Sequence, residues 1–263
     1  MKSPDPAYPT QKWIAIIPAR YASTRFPGKP LADIRGKSMI ERVYLQARQA
    51  LEHVWVATDD QRIEQAVSRF GGHCVMTSAE HTSGTDRVRE ALDHIEQESG
   101  KHFQVVINLQ GDEPFIQPEQ LRELMSCFSA PETQIATLIK AIDQNNDIFN
   151  ENLPKVVTDQ DSHALYFSRS PIPFIRNQDK NQWIQHYPFM KHVGLYAYRT
   201  DILRQITRLA PSSLELAESL EQNRWIQNGY RIKTAITLHE NHPVDTPGDL
   251  EAILQHPNQN FNG

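Results

Sequence analysis

Two sets of side chains in this sequence suit phosphate chemistry. The first is cationic: Arg20, Arg25 and Lys29, close together in the stretch WIAIIPARYASTRFPGKP. The second is a pair of aspartates far apart in the chain, Asp112 in NLQGDEP and Asp245 in VDTPGDLE. Three long cations on a loop stiffened by Pro27 and Pro30 suit a polyanion, for which a triphosphate is the natural candidate. A solvated surface loop has the same composition, so the cations alone do not separate the two readings. The loop lacks G-x-x-x-x-G-K-[ST], because Pro30 follows Gly28-Lys29, and it lacks G-x-G-x-x-G. Any phosphate here is therefore held mostly by side chains. A carboxylate opposite such a loop makes electrostatic sense if Mg²⁺ links it to a phosphate. Asp112 also reads as a turn residue, and Asp245 as a helix cap before Pro247.

Other candidates are weaker. Of eleven histidines, His239 and His242 lie three apart, but Pro243 and the polar context argue against a zinc site. His192, at the start of an apolar run, is either a core histidine or a ligand contact. Arg169 in YFSRSPIP sits at a strand edge, where an arginine is out of place unless it meets an anion. Glu221-Gln222-Asn223-Arg224 reads as the solvated face of a helix. No Ser-His-Asp or Cys-His pattern stands out.

The elements that must position these residues follow a regular rhythm. Trp13 to Ile17 is an unbroken apolar run closed by Pro18, the pattern of a buried parallel strand. Val54 to Ala57 and Val105 to Leu109 repeat it, and Cys74 to Met76 reads as a short strand. Helical patterns stand between them, opened by Ser38, by Asp59 or Asp60, and by the residues around Gly84; Pro118 opens another. Strand alternating with helix predicts a mostly parallel sheet with helices on both faces. Arg20, Arg25, Lys29 and Asp112 then fall at the carboxyl edge, where open α/β sheets bind ligands. The rhythm breaks after about Ala141. Short strand-like pieces at Lys155 to Thr158, Ala164 to Phe167 and His192 to Tyr198 predict a smaller antiparallel annex. Helices return at Asp201 to Leu209 and Leu214 to Asn228, then a strand alternating from Ile232 to Leu238, then a last helix after Pro247.

The totals exclude several classes. At 263 residues with 39% apolar content, the chain can build one large α/β domain. A net charge of -5 argues against a general nucleic-acid binder. Cys74 and Cys127, the two cysteines, read as buried thiols of a reducing cytoplasm. The start, MKSPDPAYPTQK, has no apolar segment of a signal peptide, and no stretch approaches a membrane span. A cytoplasmic location is expected. The first ten residues and the tail HPNQNFNG are expected to fray.

Taken in order, PARYASTRFPGKPL, ATDD, MTSAEHTSGTDR, NLQGDEP, YFSRSPIPF, KHVGLYAYR, SLEQNRW and VDTPGDLE resemble the 3-deoxy-manno-octulosonate (Kdo) cytidylyltransferases, or CMP-Kdo synthetases. The resemblance runs from about Ile14 to Ile253. The first motif is shared with CMP-sialic acid synthetases; YFSRSPIP and KHVGLYAYR point to the Kdo branch. It implies a Rossmann-like nucleotidyltransferase fold, a homodimer, a requirement for Mg²⁺, and CTP and Kdo as substrates. The anomeric hydroxyl of Kdo would attack the α-phosphorus of CTP and pyrophosphate would leave, giving CMP-Kdo for the lipopolysaccharide inner core.

Carried over residue by residue, the resemblance gives Arg20 and Lys29 to the triphosphate and Arg25 to the triphosphate or the sugar carboxylate. Ser83, Gly84 and Thr85 would seat the cytidine, Gln110 would contact the sugar, and Asp112 with Asp245 would hold Mg²⁺. Arg169, His192, Tyr196, Glu221 and Gln222 would line the sugar pocket. His242-Pro243 stand where the family often has a glycine before VDTP, and proline fixes φ just ahead of Asp245. The expected organisation is a single nucleotidyltransferase domain over 1–263, with its core at about 12–142 and 200–256 and a dimerisation annex at about 143–199. Exposed-looking Phe174, Trp183, Tyr187 and Phe189 in that annex suggest a two-fold interface. Competing readings are a CMP-sialic acid synthetase, an enzyme for 8-amino-Kdo, and a nucleotide-binding regulatory protein.

Overall fold

The computed structural model describes residues 12–240 and 243–255. The expectations for the first ten residues, the tail HPNQNFNG and His242 lie outside the described residues. The chain divides into two compact units, one made of residues up to 122 with those from 240 on, the other of 123–239.

The first unit carries four parallel strands in the spatial order Val105–Asn108, Trp13–Ala19, Val54–Thr58, His73–Met76. Ile14, Ala15, Ile16 and Ile17 are all fully buried. Successive side chains point to opposite faces, so this strand is covered on both, as its unbroken apolar run predicts. Helices Met39–Arg48, Gln61–Arg69 and Gly84–Ser99 pack on these strands. Each begins at a side-chain cap: Ser38, Asp60 and Ser83 accept from the backbone N–H of Glu41, Arg62 and Asp86. The last helix, Pro247–Gln255, belongs to the same unit. Val244 and Ile253 from this end of the chain join Ile34, Met39 and Phe115 in one buried cluster, with Phe26 and Leu250 against it. That cluster brings the carboxyl-terminal segment to the loop after the first strand.

In the second unit, Met190–Arg199 runs antiparallel to Ile135–Ala141 and to Lys155–Thr158. Lys155–Thr158 forms a hairpin with Ala164–Ser168. Ile232–Ile236 lies parallel to Ile135–Ala141 and ends before Leu238, which is 85% exposed.

Three expectations need correction. The helix expected from Leu214 to Asn228 is two short ones, Ser213–Glu218 and Gln222–Gln227, parted by Ser219 in the left-handed region at φ 51. Its supposed solvated face is core: Gln222 is 5% exposed and Asn223 fully buried. Asn223 exchanges two hydrogen bonds with the backbone of Phe167, at 2.9 and 3.4 Å, which ties the helix to a strand. Second, Trp183 and Phe189 are not exposed. With Ile142 and Ile148 they form a small core of their own, against which Tyr187 packs, and Phe174 alone of the four is strongly exposed. Third, Cys127 is buried but Cys74 only half so, and both are free thiols. Burial pushes both up, Cys74 to about 12 and Cys127 to about 11, which leaves them unreactive. No helix among the described residues is long and apolar enough to cross a membrane.

Candidate active site

In the first unit the two sets of charged residues meet. The Lys29 ammonium lies 2.7 Å from Asp112 Oδ2 and 3.3 Å from Asp245 Oδ1. Those two oxygens are therefore no further apart than the sum of these distances. Arg25 donates to the same Asp245 oxygen at 3.1 Å. The Lys29 side chain is only 14% exposed and Arg25 65%, so the lysine sits inside the cluster and the arginine on its rim. Arg20 directly follows the first strand, exposed, with no hydrogen-bond or ion-pair partner among the described residues.

Each member of the cluster has a local cause for its place. Gly28, at φ 74, lies close under the Tyr21 ring and opens the short 3₁₀ turn Lys29–Leu31. A non-glycine residue there would carry both backbone strain and a clash with the ring. Asp112 lies in the turn closed by Glu113 N–H to Gln110 O. The turn reading was correct for its backbone, yet its carboxylate reaches Lys29. A Cβ on Gly111 would come 3.0 Å from Pro18 O, so this turn must press directly against the end of the first strand. Val244 N–H donates to Asp112 O at 3.0 Å, joining the two aspartate-bearing segments by their backbones.

Asp245 is not the helix cap. Thr246 and Asp249 form that cap reciprocally: Asp249 N–H donates to Thr246 Oγ1, and Asp249 Oδ2 accepts from the N–H groups of Thr246 and Asp245. Asp245's carboxylate is thereby left to face the cations. Pro243, exposed and one residue before the fully buried Val244, does not keep Asp245 from the site. The T-x-x-D spacing that assigns the cap to Thr246 was readable in the sequence.

Ser83 and Gly84 open the long helix Gly84–Ser99 beside the same strand end. A Cβ on Gly84 would lie 3.4 Å from Pro18 Cγ and 4.0 Å from Gln110 Oε1. Ser83 Oγ is engaged with Asp86, and Thr85 is buried. The helix start is pinned by Arg87, a residue sequence reasoning passed over. It is 1% exposed and donates to Thr77 Oγ1 at 2.6 Å and to Asp59 Oδ2 at 2.7 Å.

The remaining candidates lie in the second unit. Met190–Arg199 changes register between Val193 and Tyr196, a bulge that re-aims its side chains. His192 packs on Phe167 and Tyr196, with ring centres at 5.0 and 5.2 Å. Thr137 Oγ1 lies 2.8 Å from Leu195 O, 3.2 Å from Val193 O and 3.1 Å from His192 Nε2. With its one proton given to a carbonyl, the hydroxyl accepts from Nε2, and Nδ1 is then the imidazole's acceptor. Burial of the ring pushes the imidazole down to about 3, though the residue keeps some surface, so it is neutral at physiological pH. Burial, with Tyr198 and Glu221 nearby, raises the Tyr196 hydroxyl well above its usual value. Gln222 Nε2 is buried without a hydrogen-bond partner among the described residues. A buried, unsatisfied amide is costly unless something else binds it. Glu221 is half-buried, 4.0 Å from Arg224. Arg169 donates to the carbonyls of Glu218, Glu151 and Ser219 at 2.7, 2.9 and 3.4 Å. Its guanidinium thus meets carbonyls, while the Glu218 carboxylate accepts from the Arg169 backbone N–H.

Among the described residues no group of three or more His, Cys, Asp or Glu side chains could hold a metal ion. Asp112 and Asp245 alone offer carboxylate oxygens at the cluster, and substrate or water oxygens would have to complete any coordination sphere.

Comparison with known proteins places these observations. Residues 14–233 match the family described as Cytidylyltransferase. The chain is 55% identical over 247 residues to the 3-deoxy-manno-octulosonate cytidylyltransferase of Parabacteroides distasonis, covering 92% of this chain and 97% of that one. It is 56% identical over 243 residues to the same-named protein of Bacteroides thetaiotaomicron, covering 91% and 96%. Among solved structures it resembles CMP:2-keto-3-deoxy-manno-octonic acid synthetase complexed with CTP, with TM-score 0.85, 44% identity, and 92% and 97% coverage. A glucose-1-phosphate thymidylyltransferase structure from Bacillus anthracis, 15% identical at TM-score 0.62 over 95% and 99% of the two chains, shares the fold.

Proposed function

The chain belongs to the cytidylyltransferase family, in its 3-deoxy-manno-octulosonate branch, and on that premise we propose that it transfers CMP from CTP to Kdo. The acceptor's anomeric oxygen forms a bond to the α-phosphorus, the bond to pyrophosphate breaks, and the hydroxyl proton passes to solvent. The products are CMP-Kdo and pyrophosphate, and the reaction serves lipopolysaccharide synthesis in the cytoplasm.

The observation that carries this reading is the single ammonium of Lys29 shared by Asp112 and Asp245. Two carboxylates this close repel each other and a triphosphate unless a cation lies among them. Their hard oxygen donors fit Mg²⁺, which takes one or two carboxylates with phosphate and water oxygens. When bound, Mg²⁺ supplies charge neutralisation and polarises the reacting phosphate. Lys29 and Arg20 hold the phosphates and draw charge toward the leaving group. Transfer of this kind depends on positioning and electrostatics, which accounts for the lack of a nucleophilic triad. Ser83, Gly84 and Thr85 seat the cytidine. Arg25, Gln110, Arg169, His192, Tyr196, Glu221 and Gln222 bind the sugar acid. Nδ1 of a neutral His192 offers an acceptor to a sugar hydroxyl, and the unsatisfied Gln222 amide offers a donor. The molecule acts as a homodimer.

The test is pyrophosphate release from CTP, ATP and GTP, each with Kdo, 8-amino-Kdo or sialic acid, with and without Mg²⁺. CTP with Kdo and Mg²⁺ is expected to dominate. Equal turnover with ATP, or with sialic acid, would overturn the reading.

A further inference from the structure

Glu218 breaks two local rules at once. It places a carboxylate in the last turn of helix Ser213–Glu218, where the carbonyl ends already carry negative charge. Ser219, a non-glycine residue, then takes the left-handed conformation at φ 51. Both irregularities converge on the strand end Tyr166 to Arg169. Glu218 Oε1 accepts from Ser168 Oγ at 2.7 Å and Tyr166 Oη at 3.1 Å, and Oε2 accepts from Arg169 N–H at 2.9 Å. The left-handed turn also presents the carbonyls of Glu218 and Ser219 to the Arg169 guanidinium. Burial raises the Glu218 carboxyl, but donation from Ser168, Arg169 and Tyr166 outweighs it and holds the group below its usual value.

The surroundings make that charge necessary. Lys155, fully buried, donates to Asn150 O at 2.8 Å, and Arg169 donates to the adjacent Glu151 O. Two cations thus grip neighbouring carbonyls of one turn, and each repels the other's charge. Glu218 is the carboxylate whose attraction opposes that repulsion. Arg169 itself spends one donor from each of its three nitrogens on these carbonyls. Of its five N–H groups, two are left, one on each terminal nitrogen, the number a bidentate carboxylate takes.

We propose that Glu218 is a positioning residue for the acceptor: through Arg169 it holds a guanidinium ready for the carboxylate of the sugar acid. The proposal rests on the sugar-side role given to Arg169 above. Loss of Glu218 then weakens recognition of the acid substrate and spares the nucleotide.

The experiment is steady-state kinetics of Glu218→Gln, Arg169→Lys and the double variant against both substrates, with calorimetric CTP binding as a check of the fold. Glu218→Gln is expected to raise KM for Kdo about tenfold while kcat and KM for CTP stay within about twofold, the scale of one charged hydrogen-bond partner. The double variant should be no worse than Arg169→Lys alone, because the two act as one unit. If Glu218→Gln fails to bind CTP, Ser168→Ala and Tyr166→Phe replace it, each removing a single donor, and each should raise KM for Kdo alone. Additive losses, equal weakening of both substrates, or unchanged KM for Kdo in the variants that fold would overturn the proposal. If Arg169→Lys also leaves KM for Kdo unchanged, the sugar-side role of Arg169 falls with it. If Arg169→Lys impairs Kdo while the Glu218 variants do not, that role stands and only this inference falls.

Discussion

Lys29 is the residue on which the charge balance turns. Its ammonium is shared by two carboxylates and largely hidden from solvent. Lys29→Ala is expected to cost about 2–4 kcal/mol in transition-state stabilisation with the fold intact. The check is kcat/KM at limiting CTP beside a circular-dichroism melt; a near-normal rate would make Lys29 an ordinary surface lysine. His192 gives a prediction in pH. Its imidazole is held at about 3 against a usual value of 6.5. Between those values the unfolded chain binds a proton that the folded chain does not, so stability falls as pH drops from 6.5 toward 3 and is unaffected well above that window. His192→Gln should flatten this part of the profile. Urea midpoints at about pH 7.5 and about pH 5 should differ less in the variant than in the parent. An equal difference in both would place the acid sensitivity elsewhere.

At the scale of elements, the turn Gln110 to Glu113 is held by contact more than by its own hydrogen bonding. Gly111 lies against Pro18 O, where even a methyl group forces a shift of backbone. Gly111→Ala touches no substrate in this account, yet it should move Asp112. The shift required is a few tenths of an ångström, so the loss should stay below the roughly hundredfold that a misplacement of about 1 Å can cost. Normal kcat/KM in a folded Gly111→Ala protein would show that the turn has slack. The elements were legible to different degrees. The strands, the cap at Ser38, one at Asp59 or Asp60, a helix start around Gly84, and Pro118 at another follow from period and capping chemistry, which are local. The break at Ser219 was not legible, because no glycine or proline marks it, and the Arg169 guanidinium that binds the carbonyls of Glu218 and Ser219 comes from some fifty residues away. Asn223 was misread for the same reason. A polar residue in a helix looks solvated until the strand it binds is known.

At the scale of the whole molecule, the site needs both ends of the chain. Phe26 and Met39 pack in one cluster with Val244 and Ile253, and that long-range packing, with the Val244 N–H to Asp112 O hydrogen bond, brings Asp245 to Lys29. The family resemblance implied that the two aspartates share one Mg²⁺ ion, but no spacing rule connects positions so distant. Assembly is a separate expectation at this scale. Light scattering at micromolar concentration should give twice the chain mass; a monomer would count against the homodimer. Strongly exposed Phe174 is the annex aromatic left to serve an interface, since Trp183 and Phe189 are buried in their own core. Asp112 and Asp245 are proposed to form one Mg²⁺ site beside Lys29. The most direct measurement is the Mg²⁺ dependence of CMP-Kdo formation in Asp112→Asn, Asp245→Asn and the double variant. Each single variant should need more Mg²⁺ for half-maximal rate and turn over more slowly, and the double should be little worse than the worse single. Unchanged Mg²⁺ dependence in Asp245→Asn, or losses that simply add, would contradict the shared site.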